Sequence, residues 1–397
     1  MNIQVIITII DFLLWLIIAA NVMYVLFFAL VSHLPKKEHL PSAISHQPSF
    51  LVLIPAYHED TVIINTVESF LHQDYPQDLY QLCVISDHME TITNEKLAAF
   101  PITLLQPTFE KSSKAKALQY AISQTSNVSH HPYDYVVILD ADNVVATDFL
   151  SRLSQIVHPD IAIQCHRTAK NVDNDIAALD GLSEEINNSI FRRGHNRIGL
   201  SSALIGSGMC FNYEWFKNNV NKLDSTVEDR ELEALLMKQG IFIHYSEDIQ
   251  VLDEKVSNGD NFQRQRLRWM TGQVQALSQM LPYAPKAIFT GNINYIDKTI
   301  QQALIPRSIL LILTPLFAFI SFIIAFFIPH LSFIFYLWLL LLILLIIAIF
   351  LSIPASLQTS ALFSRIWALP QLVWRMLMNI LHIRTDNNEF IHTTHQQ

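Results

Sequence analysis

Glycine is scarce in this chain of 397 residues, which contains only 9 glycines. The Gly-x-Gly-x-x-Gly dinucleotide motif and the Gly-rich phosphate loop both need glycines in close succession. No segment of the sequence supplies them in either spacing. The scarcity therefore argues against a dinucleotide-binding or phosphate-loop enzyme.

Cysteine and charge are also sparse. The 3 cysteines, Cys83, Cys165 and Cys210, are widely spaced, which predicts neither a disulfide framework nor a cysteine metal cluster. Charged residues make up 15% of the chain, and its net charge of −9 comes without basic blocks. We therefore expect no nucleic-acid partner.

Apolar residues are abundant instead, at 51% of the chain, and the excess lies near its two ends. Residues 12–31, 308–328 and 331–353 are uncharged and long enough to cross a bilayer. The first stretch lacks a basic start and a cleavage site of small residues. We therefore interpret it as a retained anchor rather than a secretory signal.

Basic residues flank these predicted spans on the side of the central region, at Lys36, Lys37, Lys298 and Arg307. The positive-inside rule then predicts a multi-pass protein of the cell membrane, with the central region in the cytoplasm and the N-terminus outside. The predicted divisions are an anchor (1–34), an α/β domain (45–282), an interfacial segment (283–307), a helical hairpin (308–353) and a tail (354–397). The tail mixes tryptophans with arginines and either lies on the membrane or forms a fourth span.

Short apolar runs alternate with helical patterns between residues 49 and 282, as is typical of βαβ units around a mostly parallel sheet. The runs SFLVLIPAY, YQLCVIS, ITLLQP and YDYVVILD are predicted strands, and their continuous hydrophobicity indicates burial on both faces. Ligands of open α/β sheets bind beyond the carboxyl ends of the strands. The polar residues that follow these ends are His58, Glu59, Asp87, His88, Asp140 and Asp142.

Two carboxylates one residue apart, Asp140 and Asp142, end the fourth predicted strand. Carboxylate oxygens suit a hard cation such as Mg²⁺ or Mn²⁺, which would neutralise a diphosphate leaving group. A strand end followed by a turn explains the pair equally well. A second Asp-x-Asp, Asp173 and Asp175, follows a polar stretch and is typical of a turn or a helix cap.

The stretch STVEDRELEALL places Glu228 and Asp229 at the start of an amphipathic helix. The helix dipole alone accounts for acids there, yet Asp229 could also act as a general base toward an acceptor hydroxyl. Lys114 and Lys116 lie in the helix after the third strand. They either add charge near a diphosphate or are solvated surface residues.

The stretch QRQRLRW precedes the second apolar span. Trp269 offers an apolar face for a sugar, and Arg268 can hold a phosphate through two hydrogen bonds. A basic helix lying at the bilayer surface is the simpler interpretation of the same residues.

In order, the segments IPAYHE, VISDH, KSSKAKAL, VILDAD, GSGMCF, TVEDRELEALL and QRQRLRW resemble those of the membrane-bound family 2 glycosyltransferases, which include cellulose, chitin and hyaluronan synthases. The likeness covers roughly residues 50–273, and the flanking spans fit it too. It implies a GT-A fold, which is a Rossmann-like α/β domain with a mostly parallel sheet, beside transmembrane helices. It also implies an inverting transfer from a nucleotide sugar, most often a uridine diphosphate sugar, to an acceptor hydroxyl.

The resemblance further implies roles for matching residues. The residues that would bind the donor are Glu59, Asp87, Lys114, Lys116 and Asp140. Asp142 and Asp140 would bind the metal, and Asp229, with its neighbour Glu228, would act in base catalysis. The residues that would bind the diphosphate or the acceptor are Gln265, Arg268, Trp269, Gly206 and Gly208. The chain also departs from the family's pattern. His58 stands where Asn is common, Val227 where Thr is common, and the stretch 114–118 lacks the usual glycine, which leaves its phosphate contacts open.

The predicted function is transfer to a growing polysaccharide or glycan at the cytoplasmic membrane face. Its predicted partners are the nucleotide sugar, a glycan or lipid-linked acceptor, and the bilayer. Three spans are few for a polysaccharide channel, so export would need the tail, a homo-oligomer or partner subunits. Transfer of a single sugar to a membrane lipid or lipid-linked acceptor is the alternative, and a noncatalytic scaffold that binds nucleotide sugar is an alternative of another class.

Overall fold

The computed structural model describes residues 3–36, 46–128, 133–225, 227–256, 258–359 and 365. Its strands, in chain order, are β1 (Phe50–Tyr57), β2 (Tyr80–Asp87), β3 (Thr103–Leu105), β4 (Tyr135–Ile138), β5 (Val144–Val145), β6 (Ile161–Ala169), β7 (Met209–Asn212) and β8 (Phe242–Asp253). They form one eight-stranded sheet in the order β3-β2-β1-β4-β7-β6-β8-β5. Strands β1 to β4 are parallel, and β7 runs antiparallel between β4 and β6.

The α-helices of the described part are α1 (Ile3–Val31), α2 (Ile63–Phe70), α3 (Thr91–Ala98), α4 (Lys114–Val128), α5 (Phe149–Ser154), α6 (Asp175–Asn187), α7 (His195–Arg197), α8 (Tyr213–Asn219), α9 (Glu228–Lys238), α10 (Gly259–Met280), α11 (Ala284–Thr290), α12 (Ile293–Ala303), α13 (Arg307–Phe327) and α14 (Ser332–Ser352). A π-helical turn (Asn188–Gly194) joins α6 to α7. Such turns are rare and often lie at functional sites.

Strand β1 shows why the central strands are apolar throughout. Val52 and Ile54 pack on one face of the sheet under α2 and α5, whereas Leu51 and Leu53 pack on the other face under α4, α8 and α9. All four side chains are fully buried. The predicted burial on both faces is thereby confirmed, because helices cover the sheet on each side.

The carboxyl ends of β1 and β2 turn sharply. Tyr57 and Asp87 are paired in register, and the next residues, His58 and His88, have φ of 54° and 56°. Residues other than glycine seldom adopt this left-handed conformation, and where they do the strain often marks a functional site. The two turns hold Glu59 and Asp87 at the same edge of the sheet.

The three predicted spans coincide with helices that are long and apolar enough to cross a membrane, namely Thr8–Val31, Arg307–Phe327 and Ser332–Ser352. Helix α14 packs against both α1 and α13. Trp338 Nε1 donates to Asp11 Oδ1 at 3.1 Å across the α1–α14 contact. Apart from residues 354–359 and Arg365, the predicted tail lies outside the described residues.

The second half of α1 packs against the α/β domain. Val25 and Phe28 share a buried apolar cluster with Leu182 and Ile190 of the α6 region. Gly194 makes the close approach possible, since a Cβ on it would lie 2.5 Å from the carbonyl oxygen of Phe28. The imidazole of the next residue, His195, stacks on the Phe28 ring, and the two ring centroids are 3.7 Å apart. Helix α1 is therefore part of the folded core.

Replacing Gly194 with Ala should destabilise the protein, because the added methyl group would meet a backbone oxygen that cannot rotate away. Gly194 has helical backbone angles, so alanine would otherwise be favoured by about 1 kcal/mol. We expect a lower thermal unfolding midpoint in detergent, as overpacking costs about 1–3 kcal/mol.

The matched control is Gly199→Ala, where φ is +82° and no atom lies within 4 Å of the added Cβ. That variant bears only a backbone cost of about 1 kcal/mol. An unfolding midpoint for Gly194→Ala above that of the wild type, as helix propensity alone would give, would contradict the proposed close packing.

Candidate active site

A cavity of about 540 Å³ lies at the carboxyl edge of the sheet and extends to the domain-side ends of α1, α13 and α14. Its wall contains most of the residues that the sequence singled out: Glu59, Asp87, Lys114, Asp140, Asp142, Gly206, Glu228, Asp229, Gln265, Arg268 and Trp269. These residues come from seven separate segments of the chain. The fold therefore brings the predicted motifs together in one place.

Three carboxylates form a possible cation site. Asp140, Asp142 and Asp253 each offer an oxygen atom, and these atoms lie within 4.8 Å of one another. The short strand β5 pairs with the end of β8, Val144 opposite Leu252, which places Asp253 beside the turn after β4. A set of three carboxylate oxygens fits a hard divalent cation.

Sequence reasoning missed Asp253. The only signal was its position directly after the apolar run of β8, and the polar residues that interrupt that strand obscured it. In the fold, Asn143 connects the carboxylates, since its amide donates to Asp142 Oδ1 at 3.0 Å and to Asp253 Oδ1 at 3.1 Å. Asp253 thereby becomes a third candidate metal ligand.

Buried cations compensate these carboxylates. Arg167 Nη1 lies 3.9 Å from Asp140 Oδ2 and 3.8 Å from Asp253 Oδ1, and Lys255 Nζ lies 2.7 Å from Asp253 Oδ2. Burial alone would raise the pKa of Asp253, but Arg167 and Lys255 outweigh burial and lower it. Glu184 is held between the same two cations. The acids can thus stay ionised inside the protein.

Lys114 joins three parts of the site. Its Nζ donates to Asp140 Oδ1 at 2.5 Å and to the Gly206 carbonyl at 2.6 Å, and it lies 3.5 Å from Glu228 Oε1. Lys116, two residues further along α4, is exposed and donates to the Lys111 carbonyl at 2.6 Å. The fold brings Lys114 into the cavity and leaves Lys116 outside it.

Glu228 and Asp229 begin α9 and differ in burial. Glu228 is buried, whereas Asp229 is half-buried and more exposed to the cavity. Burial raises the pKa of Glu228 to about 7, which Lys114 opposes and Asp229 reinforces. Gly206, at φ +81°, carries its loop past both acids, and a Cβ on it would lie 3.9 Å from Asp229 Oδ2 and from Glu228 Oε1.

Gly208 supports the site from behind and is not part of the cavity wall. Its amide donates to the Ile138 carbonyl at 2.9 Å, next to the end of β4. Its φ is +64°, and a Cβ would lie 2.9 Å from Val251 Cγ2 and 3.2 Å from Cys165 Cβ. Both the backbone conformation and the tight packing require glycine.

Helix α10 brings the QRQRLRW segment to the same cavity. Gly272 lets this helix approach the start of α9, because a Cβ on it would lie 2.2 Å from Val227 Cγ1. Gln265, Arg268 and Trp269 line the cavity as a result. Arg266 lines it too, pairs with Asp180, and places its guanidinium 4.4 Å from the centre of the Trp269 ring. The sequence had given no role to Arg266.

The model of the family described as "Glycosyltransferase like family 2" matches residues 47–272 of the chain. Among solved structures, the chain is similar to a mannosyltransferase from Pyrobaculum calidifontis in complex with GDP-Man and Mn²⁺, with 17% identity, a TM-score of 0.51, and 84% of this chain and 95% of that one covered. At this identity the likeness concerns the fold alone.

Weaker likenesses have TM-scores of 0.38. One is to glucosyl-3-phosphoglycerate synthase from Mycobacterium tuberculosis in complex with Mn²⁺, UDP and phosphoglyceric acid, at 16% identity over 57% of this chain and 80% of that one. Another is to S. aureus TarS 1–349 in complex with UDP-GlcNAc, at 13% identity over 66% and 85% of the two chains. No curated protein sequence matches the chain.

Replacing Glu228 with Gln should stabilise the protein above neutral pH. The folded-state pKa of about 7 exceeds the ordinary value of 4.5, so the unfolded chain ionises Glu228 at lower pH than the folded protein does. The ionisation of Glu228 therefore lowers the free energy of unfolding as pH rises from 4.5 to 7, by up to about 3 kcal/mol for a pKa shift of this size.

We expect Glu228→Gln to raise the thermal unfolding midpoint at pH 8, with the gain disappearing by pH 4.5. Glu95→Gln, at an exposed position of α3, is the matched control and should change neither midpoint. A midpoint for Glu228→Gln below that of the wild type at pH 8 would contradict the prediction.

Proposed function

Because this chain belongs to the glycosyltransferase family 2, we propose that it transfers a sugar, with inversion, from a nucleotide-diphosphate sugar to an acceptor hydroxyl. One observation carries the proposal. The carboxylate triad, the Glu228–Asp229 pair and the α10 motif line one cavity, so a donor and an acceptor could meet there. The chain is thus a glycosyltransferase whose substrates are proposed from the chemistry of the cavity wall.

The donor we propose is a uridine diphosphate sugar. Glu59 and Asp87 line the cavity at the ends of β1 and β2 and would contact its nucleotide. Mg²⁺ or Mn²⁺ held by the carboxylate triad would offset the negative charge that develops on the leaving diphosphate. Arg268 and Trp269 approach the same space from α10, where a guanidinium can bind phosphate and an indole can pack on a sugar.

Asp229 is the proposed base. Its Oδ1 accepts the Arg230 amide at 2.9 Å, and Oδ2 lies on the side of the Gly206 loop. In the proposed step, Asp229 takes the proton of the acceptor hydroxyl, whose oxygen bonds to the anomeric carbon. The bond from that carbon to the diphosphate breaks on the opposite face, and the electron pair leaves with the diphosphate.

We propose that the α/β domain lies at the cytoplasmic face of the cell membrane, with the N-terminus outside. Lys36 and Arg307 support this orientation, because both basic residues lie at helix ends next to the domain. The three apolar helices and the domain then fit one multi-pass chain.

The acceptor is either a growing glycan or a membrane lipid, the two candidates that the sequence left open. One observation favours a lipid or a lipid-linked glycan. Val25, Leu311 and Ile349, from all three apolar helices, line the same cavity as Asp229. An acceptor with an apolar part would bury it there.

Asp229→Asn should lower kcat by roughly 10²- to 10⁴-fold, the usual value of general-base assistance, while leaving the KM of the donor nearly unchanged. The measurement is sugar transfer and hydrolysis from a panel of radiolabelled nucleotide sugars, by purified protein in lipid with Mg²⁺ or Mn²⁺. Asp224→Asn, an exposed residue just before α9, is the control. Wild-type turnover in Asp229→Asn would refute its role as base.

Asp253→Asn tests the carboxylate that only the fold places at the site. The substitution removes an anionic oxygen ligand but keeps the size of the side chain, so we expect about tenfold weaker binding of donor in the presence of Mn²⁺. Asp160→Asn, at an exposed position, should bind as the wild type does. Equal Mn²⁺ dependence in Asp253→Asn and the wild type would exclude Asp253 as a metal ligand.

A further inference from the structure

Three arginines surround the part of the cavity next to the membrane helices: Arg192 in the π-helical turn, Arg266 in α10 and Arg307 at the start of α13. Of these three arginines, only Arg266 has a carboxylate of the described residues within ion-pair distance, and that carboxylate belongs to Asp180. Glu184 of the same wall is held by Arg167 and Lys255. Arg192 and Arg307 thus line this part of the cavity without a carboxylate of the described residues within ion-pair distance, and Glu184 attracts Arg192 from further away.

The hydrogen-bond partners of the other two guanidiniums are neutral groups of the protein. Arg192 Nη1 donates to Asn188 Oδ1 at 2.7 Å, and Arg307 Nη2 donates to the Ser183 carbonyl at 2.9 Å. Within the described part of the chain, the Nε of Arg192, the Nε of Arg266 and the Nε2 of Gln302 are buried without an acceptor. Arg192 is only 3% exposed. Buried donors without acceptors are costly, which points to an anion with several oxygens.

The position of these arginines indicates which kind of anion. Arg307 begins an apolar helix, and Val25, Leu311, Ile349 and Ile353 line the cavity at the domain-side ends of α1, α13 and α14. The donor diphosphate belongs with the carboxylate triad at the strand ends. The arginines share the cavity with the domain-side ends of the three apolar helices, which is where lipid head groups would lie if these helices cross a bilayer.

We propose that this part of the cavity binds the phosphate of a long-chain lipid phosphate, so that the acceptor carries phosphate between its apolar chain and its reactive hydroxyl. The phosphate pairs with Arg192 and Arg307, and the chain lies against the apolar residues of the three helices. The hydroxyl extends toward Asp229. This assignment of the acceptor rests on the proposed function, whereas binding of the lipid phosphate does not.

The test is equilibrium binding of radiolabelled hexadecyl phosphate to the purified full chain in an uncharged detergent. We expect binding by the wild type, and at least about tenfold weaker binding by Arg192→Gln/Arg307→Gln, because charge-assisted hydrogen bonds to the phosphate are lost. Arg264→Gln, at an exposed position of α10, is the matched control and should bind as the wild type does. Arg192→Lys/Arg307→Lys keeps the charges and should bind better than the glutamine variant.

Hexadecanol and inorganic phosphate are tested as competitors for the binding of hexadecyl phosphate to the wild type. This measurement tests the proposal even if the double variant does not fold. Weak competition by both supports the proposal. Competition by hexadecanol as strong as that of unlabelled hexadecyl phosphate would overturn the phosphate site. Equally strong competition by inorganic phosphate would overturn the lipid part, and undiminished binding by a folded Arg192→Gln/Arg307→Gln would exclude the arginines.

Mn²⁺-dependent hydrolysis of nucleotide sugars, measured in the same preparations, separates this proposal from the proposed function. If hydrolysis persists but lipid binding does not depend on the arginines, the result counts against the lipid site alone. A wild type that binds hexadecyl phosphate through the arginines but hydrolyses no donor supports the lipid site and counts against the proposed function.

Discussion

Compensation of buried carboxylates by buried cations is the interaction on which the rest of this site depends. Unpaired, each buried acid would cost several kcal/mol. Lys114 contacts Asp140, the Gly206 carbonyl and Glu228, so one ammonium group ties together four segments that are remote in sequence. Arg167 does the same for Asp140, Glu184 and Asp253. The ion pairs thereby fix the geometry of the cavity wall before any ligand binds.

Much of the fold could be predicted from the sequence, because its strongest signals are local. The buried strands and the three apolar helices follow from runs of hydrophobic residues, and the GT-A fold is confirmed. The grouping of Glu59, Asp87 and Asp140 also followed, since parallel strands end at one edge of a sheet. These predictions needed no knowledge of long-range packing.

The remainder depends on contacts that no local pattern encodes. Asp253 joins the triad through the pairing of the two-residue strand β5 with β8. Lys114 and Lys116 are two residues apart on a helix, so they point to different sides, and only the packing of α4 on the sheet decides which one enters the cavity. Arg192, Arg266 and Arg307 come from three elements and share a space only in the folded chain.

The close contact between Gly194 and Phe28 connects helix α1 mechanically to the cavity wall. A membrane helix adjusts its tilt when the thickness of the hydrocarbon layer changes. Phe28 belongs to α1, one of the three helices that are long and apolar enough to cross a membrane, and it touches the π-helical turn that carries Arg192. If α1 crosses the bilayer, lipid chain length and membrane tension would act on the cavity wall through this contact between helix and turn.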